Sequence, residues 1–418
     1  MNQTFLGRLK QWGLYNFMVI FLVIEAMYLI HEKMTVSDSV LLGNYMLLEQ
    51  EGDTPLEFVY QFPSLSNLDA SIGVLFLAHG CSHSATDFWP KFDLGCPKCR
   101  GLPVEKAIVV EALTREYIVI AATAQDTSTG CWGSADLPRA VRAINFVRKQ
   151  INLPEEVPNF LLGASSGGAF VGALAVHMNE QAQELKQPYM RVSGVNIQIS
   201  PLQRQYWKKQ LFDQKLLPSI HFVHMSRDKR TTTIIEDFLE IANKIDNAIV
   251  VEDAVSEGTN ASNEGEKESV WFQIYSRNLE AKHLQGSQSS SPVVILRSVA
   301  KPRPLSVELL VDRAYSVVPS YSVANTLLKA FITDGVTDQE GMLLQDPRSN
   351  AINWRDTVYR VIPDVLKSSG DSLIPDQSAI SEIMNVAYAQ HEFTDEFIQT
   401  TFDFFDQISP FNDENEKK

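Results

Sequence analysis

Apolar positions in the first half of the chain fall into short runs separated by turns and helical stretches. Residues 56–62 (LEFVYQF) alternate as a half-buried strand does. Residues 73–78 (GVLFLA) and 117–123 (YIVIAAT) are continuously apolar, the mark of strands covered on both faces. Further strands are predicted at 160–162, 192–199, 220–225 (IHFVHM) and 248–251. Between them the spacing predicts helices over 103–116, with Pro103 in the first turn, over 136–149 and over 231–245. Alternating strands and helices imply a mainly parallel sheet with ligands at the carboxyl ends of its strands.

From 252 the pattern changes. Residues 252–291 are acidic, then rich in Ser and Gln, and read as a surface loop. A last strand is predicted over 293–296, followed by helices over 305–313, 321–332, 352–367, 377–389 and 394–405, with a turn or short hairpin in 334–349. The predicted plan is a linker (31–55), an α/β core (56–251), the polar loop (252–291), a last strand and helical subdomain (292–390), a histidine loop with a final helix (391–408) and a polar tail (409–418).

The N-terminal run 14–30 (LYNFMVIFLVIEAMYLI) is apolar on nearly every face, with Arg8 and Lys10 before it. Its length is at the lower edge of a bilayer span, and no small-residue cleavage site follows. It is therefore expected to be a transmembrane signal anchor, with 1–13 cytosolic and the bulk of the chain lumenal or extracellular. Secretion after cleavage is the alternative. Asn260-Ala261-Ser262 is a glycosylation sequon on that side of the expected topology. Four cysteines, Cys81, Cys96, Cys99 and Cys131, cluster in one region. In an oxidising compartment they are disulfide candidates, with the pairing open; a four-thiolate zinc site is the less favoured reading. The net charge of −15 argues against nucleic acid as a partner.

The chemistry centres on Gly163-Ala164-Ser165-Ser166-Gly167-Gly168. An apolar strand enters it and a helix-like segment leaves it. G-x-S-x-G in that setting is a nucleophile elbow, with Gly163 and Gly167 allowing close approach of strand and helix. A serine nucleophile needs an acid and a base, in the chain order Ser, Asp or Glu, His. Asp228 follows the 220–225 strand; its bland role is to cap the next helix. Two histidines follow it, His283 in the polar loop and His391 between helical segments. His391 is the expected base and His283 the rival. The oxyanion donors are expected to be the Ser166 N–H and that of Gly80 or Cys81. His79 reads as structural and His83 as a pocket residue. No cofactor motif is present.

These features resemble the α/β-hydrolase superfamily over residues 56–405. HGCSHSATDFWP, Cys131-Trp132 and GASSGG look like the HGC, CW and GxSxGG features of secreted polyester and feruloyl esterases. With CPKCRGLP the chain looks closer to uncharacterised eukaryotic members carrying a signal or membrane anchor. The resemblance implies Ser165, Asp228 and His391 as a triad acting on an ester-type acyl bond. The departure is the long segment before His391. A non-catalytic binding or receptor module on the same fold is the other reading.

Overall fold

Strands buried on both faces need helices packed over them and neighbouring strands for their backbone groups, and among the described residues they form one nine-stranded sheet. The computed structural model describes residues 41–49, 54–63, 72–200, 202, 205, 207–208, 211, 216–245, 248–251, 293–315, 317–349, 351–369, 371, 373–375 and 377–409. Contacts divide the chain into two units, 1–42 and 43–418; only residues 41 and 42 of the first are described. The expected anchor at 14–30, Asn260 and His283 lie outside the described residues. Among the described residues no helix is long and apolar enough to cross a membrane.

The strands are β1 (Asn44–Leu48), β2 (Leu56–Gln61), β3 (Gly73–Ala78), β4 (Tyr117–Ala122), β5 (Asn159–Ala164), β6 (Val192–Gln198), β7 (Ser219–Met225), β8 (Ala248–Val251) and β9 (Val293–Ala300). Their order is β1-β2-β4-β3-β5-β6-β7-β9-β8. The β1–β2 and β2–β4 pairs are antiparallel and all others parallel. This mixed sheet, flanked by helices and carrying a strand–serine–helix elbow on its central strand, is an α/β-hydrolase architecture. Two expectations need correction. Residues 31–55, read as a linker, contain β1, which extends the sheet edge. The last strand, expected over 293–296, runs on to Ala300, long enough to pair with β7 on one side and β8 on the other.

Side chains two apart on a strand share a face. One face, with Phe76, Ile120, Leu161, Ile197 and Phe222, packs into a core with α2 (Leu137–Gln150), α3 (Ser166–Glu184) and α4 (Lys229–Ala242). The other face meets α1 (Pro103–Thr114) and the final helix, α10 (Ile398–Gln407). There Phe402 and Phe405 pack on Tyr117 and Phe160, and Arg115 bonds to Asp403 and Asp406.

After Ala300 the chain builds a second core from α5 (Val307–Arg313), α6 (Tyr321–Thr333), α7 (Trp354–Val361), α8 (Pro363–Ser369) and α9 (Ala379–Tyr388). The single helix expected over 352–367 is two. Pro363 has no N–H to continue the first helix, and a new one starts there. The expected hairpin in 334–349 is reduced to one antiparallel bridge, Thr337 to Leu343.

Candidate active site

β3 and β5 lie side by side, with Ala78 opposite Gly163. Their ends therefore bring His79-Gly80-Cys81 against the elbow. The approach is so close that a Cβ on Gly167 would stand 2.3 Å from the Ala78 carbonyl oxygen. One on Gly163 would stand 2.4 Å from that of Gly167. Only glycine fits either position. Ser165, between them, has φ 53° and ψ −120°. That backbone is costly for a residue with a side chain, and it thrusts the hydroxyl away from strand and helix.

The Ser165 hydroxyl lies 3.2 Å from His391 Nε2. His391 Nδ1 is 2.6 Å from Asp228 Oδ2. These partners come from three separate places: the end of β5, the turn after β7, and the loop after α9. Asp228 caps the next helix and faces His391 at once. Its carboxylate accepts from the Thr231 N–H (3.0 Å) and hydroxyl (2.7 Å), starting α4, while it faces His391. Burial pushes the Asp228 pKa up, but the bonds from His391 and Thr231 and the nearby imidazole outweigh it and hold the carboxyl below its ordinary value. The group therefore stays ionised under the imidazole.

The helical block returns the chain to the sheet at this point. Ala389 closes α9 in the left-handed conformation, and its carbonyl accepts from the Arg227 N–H at 3.1 Å. The Arg227 guanidinium bonds to the Tyr388 carbonyl and lies over the Tyr388 ring. Arg348, in the turn before α7, donates to the His391 carbonyl and to Glu392 (2.8 Å). Gln198, at the end of β6, links both sides. Its carbonyl accepts from Ser165 N–H and its side chain from Thr394 N–H. Arg227, Arg348 and Gln198 were not singled out in the sequence; only the adjacency of Arg227 to Asp228 hinted at one of them.

The Ser166 N–H opens α3 and has no intrahelical partner there. Gly80 is close by, a Cβ on it falling 3.7 Å from that of Ser165. The 79–81 loop is held from several sides. Cys81 is disulfide-bonded to Cys131, and Trp132 donates to the His79 carbonyl while stacking on Phe170. His79 is buried, which pushes its pKa down to about 4. Its Nε2 accepts from the Ala124 N–H, so Nδ1 carries the proton and donates to the Gly80 carbonyl at 2.6 Å. The other pair is Cys96–Cys99, so the four sulfurs form two disulfides rather than a zinc site. His83 does not line the cavity; it turns to Asp87 at 3.1 Å and to Glu105.

A cavity of about 730 Å³ opens beside Ser165 and His391. Ala169, Ile199, Leu202, Trp207 and Ile234 give it an apolar wall, and Arg230 and Asp237 add charge. None of these was legible as a site residue, because the wall is assembled from stretches far apart in the chain.

No family model matches the chain, and no curated protein sequence matches it. Among solved structures it is similar to an esterase of Pyrococcus furiosus, at 12% identity and a TM-score of 0.31, over 49% of this chain and 77% of that one. An acetyl xylan esterase from Aspergillus awamori matches at 14% identity and 0.30, over 45% and 74%. An esterase from Rhizomucor miehei matches at 14% and 0.35, over 61% and 87%.

Proposed function

We propose that the protein is a serine hydrolase that cleaves a carboxylic ester through an acyl-enzyme intermediate. The observation that carries this reading is the chain of hydrogen bonds from Ser165 through His391 to Asp228, with the serine on a strained elbow. In the proposed mechanism Ser165 Oγ attacks the acyl carbonyl and His391 Nε2 takes its proton. The Ser166 N–H and that of Gly80 or Cys81 receive the oxyanion. His391 then protonates the departing alcohol, and water, activated by the same imidazole, releases the acid. Asp228 fixes the imidazole tautomer and balances its positive charge. No cofactor enters these steps.

The test uses a fluorophosphonate probe, which reacts only with an activated serine. Labelling of the wild type that disappears in Ser165→Ala is expected, together with turnover of simple esters. A folded wild-type protein that neither labels nor turns over esters is a binding module, and the proposal fails.

We also propose that 14–30 is a signal anchor that places the hydrolase on the lumenal or extracellular side. The basic-flanked apolar run supports this, as do two disulfides, which persist in oxidising compartments. Protection from protease in intact microsomes, with a glycosidase-sensitive mass at Asn260, is the expected outcome. Digestion of the 43–418 unit in sealed vesicles would refute it.

A further inference from the structure

The cavity beside Ser165 holds a cation that ester cleavage itself does not use. Arg230 and Asp237 both line it, and both lie on α4. Seven residues is close to two helical turns, so the two side chains share one face, about 10 Å apart along the axis. Arg230 is at the end nearer Asp228 and the reacting groups; Asp237 is at the far end. Around the site Arg227, Arg313 and Arg348 each end on an oxygen acceptor. Arg230 has no hydrogen-bond or ion-pair partner among the described residues.

Local structure gives no reason for a cation there. Arg230 is the second residue of α4, after Lys229, and the first turn holds no acidic side chain. A positive charge at a helix N-terminus opposes the macrodipole, so the helix would be better served by almost any other polar residue. Ser166, Ser200 and Thr231 also line the cavity, but among its described lining residues Arg230 is the one lysine or arginine, set beside the apolar Ile199, Leu202, Trp207 and Ile234. A guanidinium on an apolar wall suits a carboxylate, which it meets with two parallel hydrogen bonds. Asp237, further along, repels an anion that reaches too far.

Building on the hydrolase reading, we propose that Arg230 binds a carboxylate on the substrate. The preferred ester then carries an anionic group a short chain away from the scissile carbonyl. It is a half-ester of a small dicarboxylic acid rather than a neutral fatty ester.

The test compares monomethyl glutarate with methyl pentanoate, esters of the same chain length, by proton release from the purified protein. Wild type is expected to favour the half-ester in kcat/KM by about tenfold or more, the scale of one charged hydrogen-bonded contact. That ratio is expected to collapse towards one in Arg230→Gln and to fall below one in Arg230→Glu. Arg230→Lys should keep part of it. High salt should lower the wild-type ratio as well. If wild type hydrolyses both esters without preference, or if Arg230→Gln leaves the ratio where it was, the substrate assignment is wrong while the hydrolase stands. If neither ester is hydrolysed and the serine probe does not label, both fall together.

Discussion

The two oxygens of Asp228 divide their partners: Oδ1 accepts the Thr231 N–H, and Oδ2 accepts from the Thr231 hydroxyl and faces His391. An amide in the same place retains one oxygen for the helix cap. Its NH₂ group then meets His391 Nδ1, which must become an acceptor, and the ring proton moves to Nε2. That nitrogen no longer takes the proton of Ser165. Asp228→Asn is therefore expected to keep its melting temperature within a few degrees and to lose about 10⁴ in kcat. Thermal denaturation and single-turnover kinetics check the two halves. At this scale much was readable. The glycines around Ser165 announced a close approach, and Asp228 announced a helix start. The role of Arg348 was not readable, because its partner is a backbone carbonyl 43 residues away.

Among the elements, α9 and its exit matter most to the site. The helix is anchored at its start by Ser378 as cap and at its end by the Arg227 N–H, and Arg348 grips the loop that follows. Removing that grip leaves His391 attached but poorly aimed. Arg348→Ala is expected to lower kcat roughly 10- to 100-fold with KM little changed, since misplacement by an ångström costs about that much. Arg348→Lys should recover part of the loss, and steady-state kinetics on a neutral ester reads both. Elements were legible in the sequence where their periodicity is local. The buried strands β3, β4 and β7 declared themselves by composition. β1 did not, because an edge strand of five half-exposed residues takes its identity from pairing with β2. The break at Pro363 was legible in principle, as a proline cannot continue a helix from within.

Across the whole molecule, the helical block and the sheet core are joined by a buried carboxyl pair. Glu382 on α9 accepts the Val104 N–H at the start of α1, and Glu105 lies beside it. Burial pushes Glu382 up to about 8 and, with the charge of Glu382 added, lifts Glu105 well above the carboxylate range. A folded-state value above the unfolded one means that the fold holds more protons. The stabilisation is complete below about pH 4.5 and is lost as pH rises through about 8. Glu382→Gln keeps an acceptor for Val104 without titrating. Its urea midpoint is expected to gain on that of the wild type between pH 5 and pH 9; parallel curves would contradict the assignment. What the sequence withheld at this scale is how the chain returns to the sheet. Local patterns show helices after Ala300, but the hydrogen bond between Arg227 and Ala389 joins residues far apart in the chain.

The bond between Ser165 and His391 closes a loop of 226 residues. During synthesis the elbow leaves the ribosome roughly 10–45 s before its histidine does, at ordinary elongation rates. Throughout that interval the nascent chain carries a serine with no base. In the proposed mechanism it is inert towards any ester it meets. Reactivity then arises only when the helical block has packed and delivered its last loop, so an activity measurement doubles as a count of chains that have finished folding.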